Sequence, residues 1–283
     1  MKYVTVIGTG VLGSQIAFQT AFSGFDVVAF DVDEEAIEQA KIRFAALATT
    51  YRNQVSGADD AKVDGALGRL SYSVDLAEAV HNADLVIEAA PENIEVKNGI
   101  FQQLSAIAPA KTIFATNSST LLPSAMAPHT GRPEKFLALH FANHIWAQNT
   151  AEIMGTAQTS PEVYATVVQF AQDIGMVPIE LKKEQAGYLL NSLLVPLLAA
   201  SSALYVDEIA SPDMIDKTWR LGTGSPRGPF QIQDIVGLTT FYNITSSSKD
   251  AKMQKFARQI KAKYIGQGKL GVATGEGFYT YRQ

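Results

Sequence analysis

His140 and Glu152 are the residues whose types and positions are best suited to proton transfer. His140 ends the apolar run 136–139, and Glu152 lies near the start of the next apolar segment. If the two segments are adjacent strands, the carboxylate can orient the imidazole and stabilise its protonated form. An imidazole held in this way can act as a general base toward a hydroxyl group near neutral pH. The alternative is a histidine that only packs against or caps the end of a strand.

A glycine-rich turn near the N-terminus predicts a dinucleotide site. Gly8, Gly10 and Gly13 have G-x-G-x-x-G spacing, between an apolar run at 3–7 and an amphipathic stretch at 12–22. In such a unit the first glycine makes the tight turn, the second lets a pyrophosphate approach the backbone, and the third packs the helix on the strand. The start of the helix directs free N–H groups at the phosphates. The turn residues expected to contact the dinucleotide are Gly8, Gly10, Val11, Leu12 and Gly13.

Asp31, at the end of the second apolar run, indicates which dinucleotide binds. A carboxylate in this place accepts hydrogen bonds from ribose hydroxyls and repels a 2′-phosphate. No arginine follows directly to accommodate such a phosphate. The sequence therefore predicts NAD rather than NADP. Combined with a general base, NAD predicts the oxidation of a secondary hydroxyl group, with hydride leaving for the nicotinamide.

The first two thirds of the chain alternate between apolar runs and amphipathic stretches. The runs at 83–90, 112–116 and 136–140 are expected to be buried strands, and the stretches 34–50 and 93–107 to be helices. This alternation predicts a right-handed, doubly wound sheet. The predicted fold class is α/β, with a Rossmann-type doubly wound, mostly parallel sheet followed by an all-α C-terminal domain.

The strand pattern stops near residue 183, and helical patterns follow. We therefore predict an NAD-binding Rossmann domain at 1–183 and a helical domain for substrate binding and dimerisation at 184–283. The predicted helices of the second domain are 186–205, 212–221, 232–245 and 250–265. A helical unit this apolar is expected to pack against its own copy and form a homodimer. The alternative is that it packs only on its own first domain.

The composition excludes several classes of protein. A net charge of −5 without a basic cluster gives no general attraction to nucleic acid or anionic membranes. The absence of cysteine excludes disulfides and thiolate metal sites, and no two histidines have helical spacing together with a third ligand, so no metal is expected. The first strand begins directly after Met1-Lys2, and no apolar run approaches the ~18–20 residues of a membrane span. These features predict a cytoplasmic enzyme.

The sequence resembles the L-3-hydroxyacyl-CoA dehydrogenase family, including its bacterial 3-hydroxybutyryl-CoA members, over nearly its whole length. Besides the glycine turn, the resemblance rests on ordered motifs in both halves of the chain. These motifs are Leu85-Val86-Ile87-Glu88-Ala89 with Glu92-Asn93 and Lys97, Asn117-Ser118-Ser119, His140-Phe141-x-Asn143, Gly187-Tyr188-x-x-Asn191, Arg227-Gly228-Pro229-Phe230 and Gly275-Glu276-Gly277-Phe278. An ordered set of this kind is far more specific than any one motif.

The resemblance implies a role for each candidate residue. His140 corresponds to the family's catalytic base and Glu152 to its partner carboxylate. Ser119 and Asn191 correspond to groups that hydrogen-bond the reacting oxygen or the neighbouring acyl carbonyl. The remaining matches are to positions that contact NAD, namely Asp31, Glu92, Lys97 and Asn143.

Two departures from the family pattern concern the substrate. The segment 143–152 has His144 where the family usually has proline, and Trp146 and two amides follow. The stretch 45–53 lacks the serine and lysine cluster that family members use for the CoA phosphates. The leading expectation is a short-chain 3-hydroxyacyl-CoA substrate. The alternatives are a free 3-hydroxy acid, whose carboxylate His144 or Arg227 could bind, and a non-catalytic NAD-binding or structural relative.

Overall fold

A twisted sheet organises the first of the two units into which the chain divides, Met1–Leu189 and Leu190 onward. The structure is a computed structural model, and it describes residues 1–281. Within these residues the sheet has eight strands in the order β3-β2-β1-β4-β5-β6-β7-β8. The strands are β1 (Tyr3–Ile7), β2 (Asp26–Phe30), β3 (Leu70–Ser73), β4 (Leu85–Glu88), β5 (Ile113–Thr116), β6 (Phe136–Phe141), β7 (Thr150–Gly155) and β8 (Val177–Leu181).

All neighbouring strands are parallel except β6 and β7, which are antiparallel. The helices of this unit are α1 (Val11–Phe22), α2 (Glu34–Gln54), α3 (Asp60–Gly68), α4 (Leu76–Val80), α5 (Ile94–Ile107), α6 (Pro123–Met126) and α7 (Pro161–Asp173). The predicted Rossmann-type, mostly parallel sheet is confirmed. Its carboxyl edge receives the side chains that end β1, β2, β4, β5 and β6, as a doubly wound sheet requires.

Two apolar clusters cover the two faces of the sheet. Side chains alternate between the faces along each strand, so that Ile87 packs with α1, α2, α3 and α7, whereas Val86 packs with α4, α5 and α6. Both of these side chains are fully buried. The strands are therefore apolar on both sides, which explains why they read as continuous apolar runs.

Side-chain caps begin several helices where the sequence suggests them. The carboxylate of Asp75 accepts hydrogen bonds from the N–H groups of Ala77 and Glu78, and Asn93 caps α5 through the N–H of Val96. Helix α3 was not expected, because Gly65 and Gly68 interrupt the helical pattern there. Its N-terminus is nevertheless capped in the same way, by Asp59.

The second unit is helical, as predicted. Its helices are α8 (Tyr188–Val206), which starts at the end of the first unit, α9 (Pro212–Thr223), α10 (Pro229–Val236), α11 (Leu238–Ser246) and α12 (Ala251–Lys263). The prediction of one helix over 232–245 was wrong. Gly237 adopts φ +96° and separates α10 from α11, and such a backbone conformation ends a right-handed helix.

Asp234 ties the C-terminal segment to α10. Its carboxylate accepts hydrogen bonds from the N–H groups of Phe278 and Tyr279 and from the hydroxyl of Tyr281. Burial raises the pKa of Asp234 in spite of these donors. The close approach explains a glycine in the same segment, because a Cβ on Gly277 would lie 2.1 Å from the Asp234 carboxylate.

Helix α8 is 19 residues long and is apolar enough to cross a membrane by length and composition. The sequence predicts this helix over 186–205, but the expectation that no apolar run approaches the length of a membrane span was wrong. Only 22% of its most apolar window is buried within the structure. One such helix is weak evidence for a membrane, because helices at protein interfaces have the same composition.

Candidate active site

The pairing of β6 with β7 places His140 directly opposite Glu152. Directly opposed residues of an antiparallel pair have neighbouring side chains on one face of the sheet. The Nδ1 atom of His140 lies 3.0 Å from Oε2 of Glu152, and both residues are at least 95% buried. The other carboxylate oxygen, Oε1, accepts the N–H of Leu189 at 2.9 Å. The carboxylate is therefore fixed from two sides.

Ser119 meets the opposite side of the imidazole. Its Oγ lies 3.1 Å from Nε2 of His140, and it belongs to the turn that follows β5. An ionised Glu152 is an acceptor only, so it requires the proton of a neutral imidazole on Nδ1. The lone pair of Nε2 then faces Ser119 and can accept a proton. The predicted base, its carboxylate partner and the serine hydroxyl are thus brought together at the carboxyl edge of the sheet.

Glu92 organises the turn that carries Ser119. Its Oε1 atom accepts hydrogen bonds from the backbone N–H groups of Ser119 and Thr120 and from the hydroxyls of Ser118 and Thr120. Burial raises the pKa of Glu92, but these donors and the charge of Lys97 outweigh that effect and hold the pKa below its ordinary value. In the structure Glu92 joins the loop after β4 to the loop after β5.

Lys97 forms a buried ion pair at the end of β4. Its Nζ lies 2.6 Å from Oε1 of Glu88 and 3.1 Å from the carbonyl oxygen of Ala90, and both charged side chains are almost completely buried. Glu88 also accepts hydrogen bonds from the N–H of Ala90 and the hydroxyl of Thr116. A buried ion pair persists when further hydrogen bonds compensate its desolvation, as they do here. The sequence reading did not identify Glu88 as the partner of Lys97.

Two of the three glycines of the turn stand at positions where a larger residue would not fit. Gly8 adopts φ +90°, and a Cβ there would lie 2.7 Å from the carbonyl oxygen of Ala89. A Cβ on Gly13 would lie 1.9 Å from the carbonyl oxygen of Gly8, so α1 can pack this closely on β1 only with glycine. A Cβ on Gly10 would meet nothing within 4 Å. Gly10 therefore leaves open space above the turn, which is where a pyrophosphate approaches such a backbone.

Asp31 borders the same space. Its Oδ2 atom accepts both the N–H and the hydroxyl of Thr9, and Oδ1 accepts the N–H of Val32. Thr9 was not singled out from the sequence, although it lies between two glycines of the turn. A cavity of about 1090 Å³ is lined by Gly8, Gly10 and Asp31 together with residues from the loops after β3 and β4 and from α5. Its position at the carboxyl ends of β1, β2 and β4 is where a doubly wound sheet binds a dinucleotide.

Alanine substitutions at two of these glycines should have different effects. Gly13→Ala should lower the free energy of unfolding by about 1–3 kcal/mol even without ligand, because the new methyl group overpacks the β1–α1 contact. Gly10→Ala should leave this free energy nearly unchanged and weaken NADH binding. Urea unfolding and NADH titration of both variants measure the two effects. A Gly13→Ala protein as stable as the wild type would contradict this steric account.

The loop between β6 and β7, residues 142–149, rests on α1 and α2. Gln15 accepts the backbone N–H of His144 at 2.8 Å, and His144 adopts φ +60°. The indole Nε1 of Trp146 donates to Gln54 at 2.9 Å, at the C-terminal end of α2. Asn143 is exposed in this loop. Asn191 lies on α8 in the second unit, and its role, like the cofactor contacts of Asn143, Glu92 and Lys97, stays a prediction.

The cations near α2 all have intramolecular partners. These partners are Glu38 for Lys41, the Thr9 carbonyl for Arg43, Asp60 and Asp64 for Arg52, and the Phe22 ring for Lys62. Binding the phosphates of CoA normally requires several cations that are free to pair with them. Lys41, Arg43 and Arg52 on α2 and Lys62 on α3 would each have to leave another group to bind a phosphate.

The fold and the site together define an NAD-dependent oxidoreductase. Residues 3–185 match the 3-hydroxyacyl-CoA dehydrogenase NAD binding domain, and residues 187–281 match the C-terminal domain of 3-hydroxyacyl-CoA dehydrogenase. The chain therefore belongs to the 3-hydroxyacyl-CoA dehydrogenase family, whose members act on CH–OH groups with NAD. Both the family resemblance that the motifs indicated and the prediction of NAD as the cofactor are thereby confirmed.

Two curated relatives cover the whole chain. Human mitochondrial hydroxyacyl-coenzyme A dehydrogenase is 35% identical over 291 residues, which cover 100% of this chain and 92% of the human protein. A probable 3-hydroxybutyryl-CoA dehydrogenase of Bacillus subtilis is 32% identical, with 100% of this chain and 98% of that protein covered.

Two solved structures are also similar over nearly their full lengths. One is a diketoreductase described by its substrate-directed dual catalysis of dicarbonyl compounds, with 63% identity, a TM-score of 0.97 and 99% of each chain covered. The other is (S)-3-hydroxybutyryl-CoA dehydrogenase of Ralstonia eutropha, with 28% identity, a TM-score of 0.83 and 100% of each chain covered. The relatives thus include both CoA-dependent dehydrogenases and a reductase of dicarbonyl compounds.

Proposed function

We propose that the protein interconverts a secondary 3-hydroxyl group and the corresponding ketone, with His140 as the general base. In the oxidation direction Nε2 of His140 accepts the hydroxyl proton, and Glu152 stabilises the resulting imidazolium through Nδ1–H. Ser119 donates a hydrogen bond to the reacting oxygen. In the reduction direction the imidazolium returns the proton to that oxygen. The observation that supports this proposal is the buried, directly opposed His140–Glu152 pair with Ser119 at 3.1 Å from Nε2.

NAD, when bound, supplies the hydride acceptor at its nicotinamide ring. Gly8 and Gly10 would hold its pyrophosphate, and Asp31 its ribose hydroxyls, because these three residues line the cavity beside the glycine turn. The free N–H groups at the start of α1, directly after Gly10, would add to the pyrophosphate site. The retained pair of His140 and Glu152 argues against a non-catalytic relative, since a purely structural protein does not need a buried carboxylate–imidazole pair.

For the substrate we propose a small free β-dicarbonyl compound or its 3-hydroxy product, without CoA. The cations along α2 are paired within the chain, and Trp146 with Gln54 joins the loop 142–149 to the C-terminal end of that helix. The 63% identity to a diketoreductase supports the same assignment. Arg52 is held by two carboxylates and would have to leave both of them to bind a phosphate.

The second candidate substrate is a short-chain 3-hydroxyacyl-CoA. It is favoured by the two family matches over nearly the whole chain and by the curated relatives that are named as CoA dehydrogenases. The two candidates share the chemistry at the 3-carbon. They differ in whether the enzyme must bind a polyanionic group remote from that carbon.

A kinetic comparison separates these substrates. NADH oxidation should be measured with acetoacetyl-CoA, free acetoacetate and 2,4-pentanedione at low and high ionic strength. We expect the highest kcat/KM for a free dicarbonyl compound, with little dependence on salt, because exposed charge–charge contacts are weakened by screening and this substrate does not rely on them. A much higher, salt-sensitive kcat/KM for acetoacetyl-CoA would establish the CoA substrate instead.

We also propose that the helical unit forms a homodimer through α8. This helix has no charged residue, and Leu193 and Val195 are 74% and 50% exposed. Leu197 and Leu204 of this helix and Trp219 of α9 line an apolar groove of about 510 Å³. An uncharged apolar helix beside such a groove resembles one half of an obligate interface. Burial against a second copy accounts for the composition of α8 in the proposed cytoplasmic location.

Light scattering tests the dimer. The wild type should have the mass of two chains, and Leu193→Glu should lower the mass to that of one chain, because it places charge at the centre of the apolar interface. Ile42→Glu is the matched control, since Ile42 is an exposed apolar residue of the first unit. Equal masses for the wild type and for Leu193→Glu would remove α8 from any interface.

A further inference from the structure

Tyr188 has an unusual backbone conformation beside the catalytic pair. It adopts φ +53°, directly after Gly187 at φ +80°. Non-glycine residues with such a φ are uncommon, and bulky ones are strained there, because the Cβ approaches the backbone. The side chain is nevertheless completely buried. Strained residues of this kind persist where the surrounding structure holds them, and they are often found at functional sites.

The phenol ring of Tyr188 stacks on the imidazole of His140. The ring centroids are 4.4 Å apart, and the planes are inclined by only 14°. A cation facing an aromatic ring is stabilised by the ring's negative face, so this contact favours the imidazolium form. It also fixes the plane of the imidazole, because Glu152 holds the ring only along its Nδ1 edge.

The hydroxyl of Tyr188 reaches the turn that carries the serine. It donates to the carbonyl oxygen of Ser118 at 2.7 Å, and the next residue is Ser119, whose Oγ meets Nε2 of His140. The residue after Tyr188 contacts the carboxylate, because the N–H of Leu189 donates to Glu152. The segment 188–189 therefore contacts the histidine, the serine turn and the carboxylate within two residues.

We propose that Tyr188 is a positioning residue for the proton-transfer group. Its ring sets the plane of His140 and stabilises the imidazolium, and its hydroxyl sets the distance between Ser119 and Nε2. This assignment rests on the proposed role of His140 as the base. The left-handed backbone at Tyr188 is what directs the ring over the imidazole while the next N–H points at Glu152.

Several charged groups lie near His140, Ser119 and Tyr188 and affect the pH dependence of the reaction. Glu152 faces His140 from β7, Glu88 lies at the end of β4, Glu92 follows in the next loop, and Lys97 on α5 pairs with the last two. The variants that test Tyr188 leave all of these groups unchanged. A change in the pH profile is then caused by the aromatic ring itself.

Two substitutions separate the two contributions of Tyr188. Tyr188→Phe keeps the stacked ring and removes the hydrogen bond to Ser118, so kcat should fall about three- to tenfold, the effect of one hydrogen bond. The midpoint of its kcat/KM pH profile and its KM for NADH should not change. Tyr188→Leu also removes the ring. Its pH midpoint should move down by about 0.5 unit, because the imidazolium loses the ring's negative face.

Tyr164→Phe is the matched control. The Tyr164 hydroxyl also donates to a backbone carbonyl, that of Ile153, but the residue belongs to α7. Its kcat should equal that of the wild type. Wild-type kcat in Tyr188→Phe, or an unchanged pH midpoint in Tyr188→Leu, would overturn the positioning role. If His140→Ala is inactive in that case, the proposed function still stands, whereas a fully active His140→Ala would overturn both proposals.

Discussion

Replacement of His140 by alanine should lower kcat by about 10²–10⁴-fold, the contribution that a positioned general base makes. The imidazole is the group that the structure places between a carboxylate at 3.0 Å and a serine hydroxyl at 3.1 Å. Without the imidazole, the hydroxyl proton has to be transferred to water, and water has little access because the His140 side chain lies in a site where it is 95% buried. Initial rates of NADH oxidation and of the reverse reaction measure the loss, and the KM for NADH should change little.

His81→Ala and Glu152→Gln complete this experiment. His81 is an exposed histidine bonded to the carbonyl of Glu78, so its replacement should leave kcat unchanged. Glu152→Gln keeps the size of the side chain and removes its charge, and kcat should fall because the imidazolium loses its counter-charge. A His140→Ala enzyme with more than half of the wild-type kcat would remove His140 from the mechanism.

Replacement of Lys97 by methionine should lower the free energy of unfolding of the first unit by about 3–5 kcal/mol, because it leaves a buried carboxylate without its partner charge. Glu88 is 0% exposed and would retain only neutral donors. The measurement is urea unfolding followed by tryptophan fluorescence, with Trp219→Phe present in every variant. Trp146, in the first unit, is then the remaining tryptophan of the chain, so the fluorescence reports on that unit. The midpoint of its fluorescence transition should move to lower urea.

Two further variants distinguish a lost ion pair from a lost side chain. Lys111→Met removes an exposed lysine paired with Asp84 and should cost less than about 1 kcal/mol. The double variant Glu88→Leu/Lys97→Met should recover much of the stability that Lys97→Met loses, because no unpaired charge stays buried. A double variant less stable than Lys97→Met alone would show that the pair is not the source of the effect.

The residues proposed for cofactor binding and proton transfer are separate from those on which the substrate assignment depends. In the proposed mechanism the glycine turn and Asp31 hold NAD, and the His140–Glu152 pair takes the proton of the reacting hydroxyl, whatever the substrate carries beyond that group. The proposed substrate assignment depends instead on the loop 142–149 and on α2, where Trp146 donates to Gln54 and Arg52 is paired with Asp60.

The glycine turn and the strands could be predicted from the sequence because each depends on short-range patterns, and His140 and Glu152 could be named as candidates because each lies at the end or start of an apolar run. The glycine spacing reflects contacts within one βα unit, and buried strands are apolar on both faces. Helix α3 was missed because its interior glycines weaken the helical pattern, and the break at Gly237 because a single glycine does not reveal its φ angle. The contacts of Tyr188 and Thr9 could not be predicted, because neither residue belongs to a local sequence pattern that indicates its partner.

By itself, the sequence determined the Rossmann-type fold, the NAD cofactor and the identity of His140 and Glu152 as candidates. Whether those two side chains meet depends on the antiparallel register of β6 and β7, and a register shift by one residue would send Glu152 to the other face of the sheet. The tertiary structure also decided that Tyr188 covers the imidazole and that Lys97 pairs with Glu88. These contacts join residues distant along the chain, and only the packing of the whole first unit brings them within bonding distance.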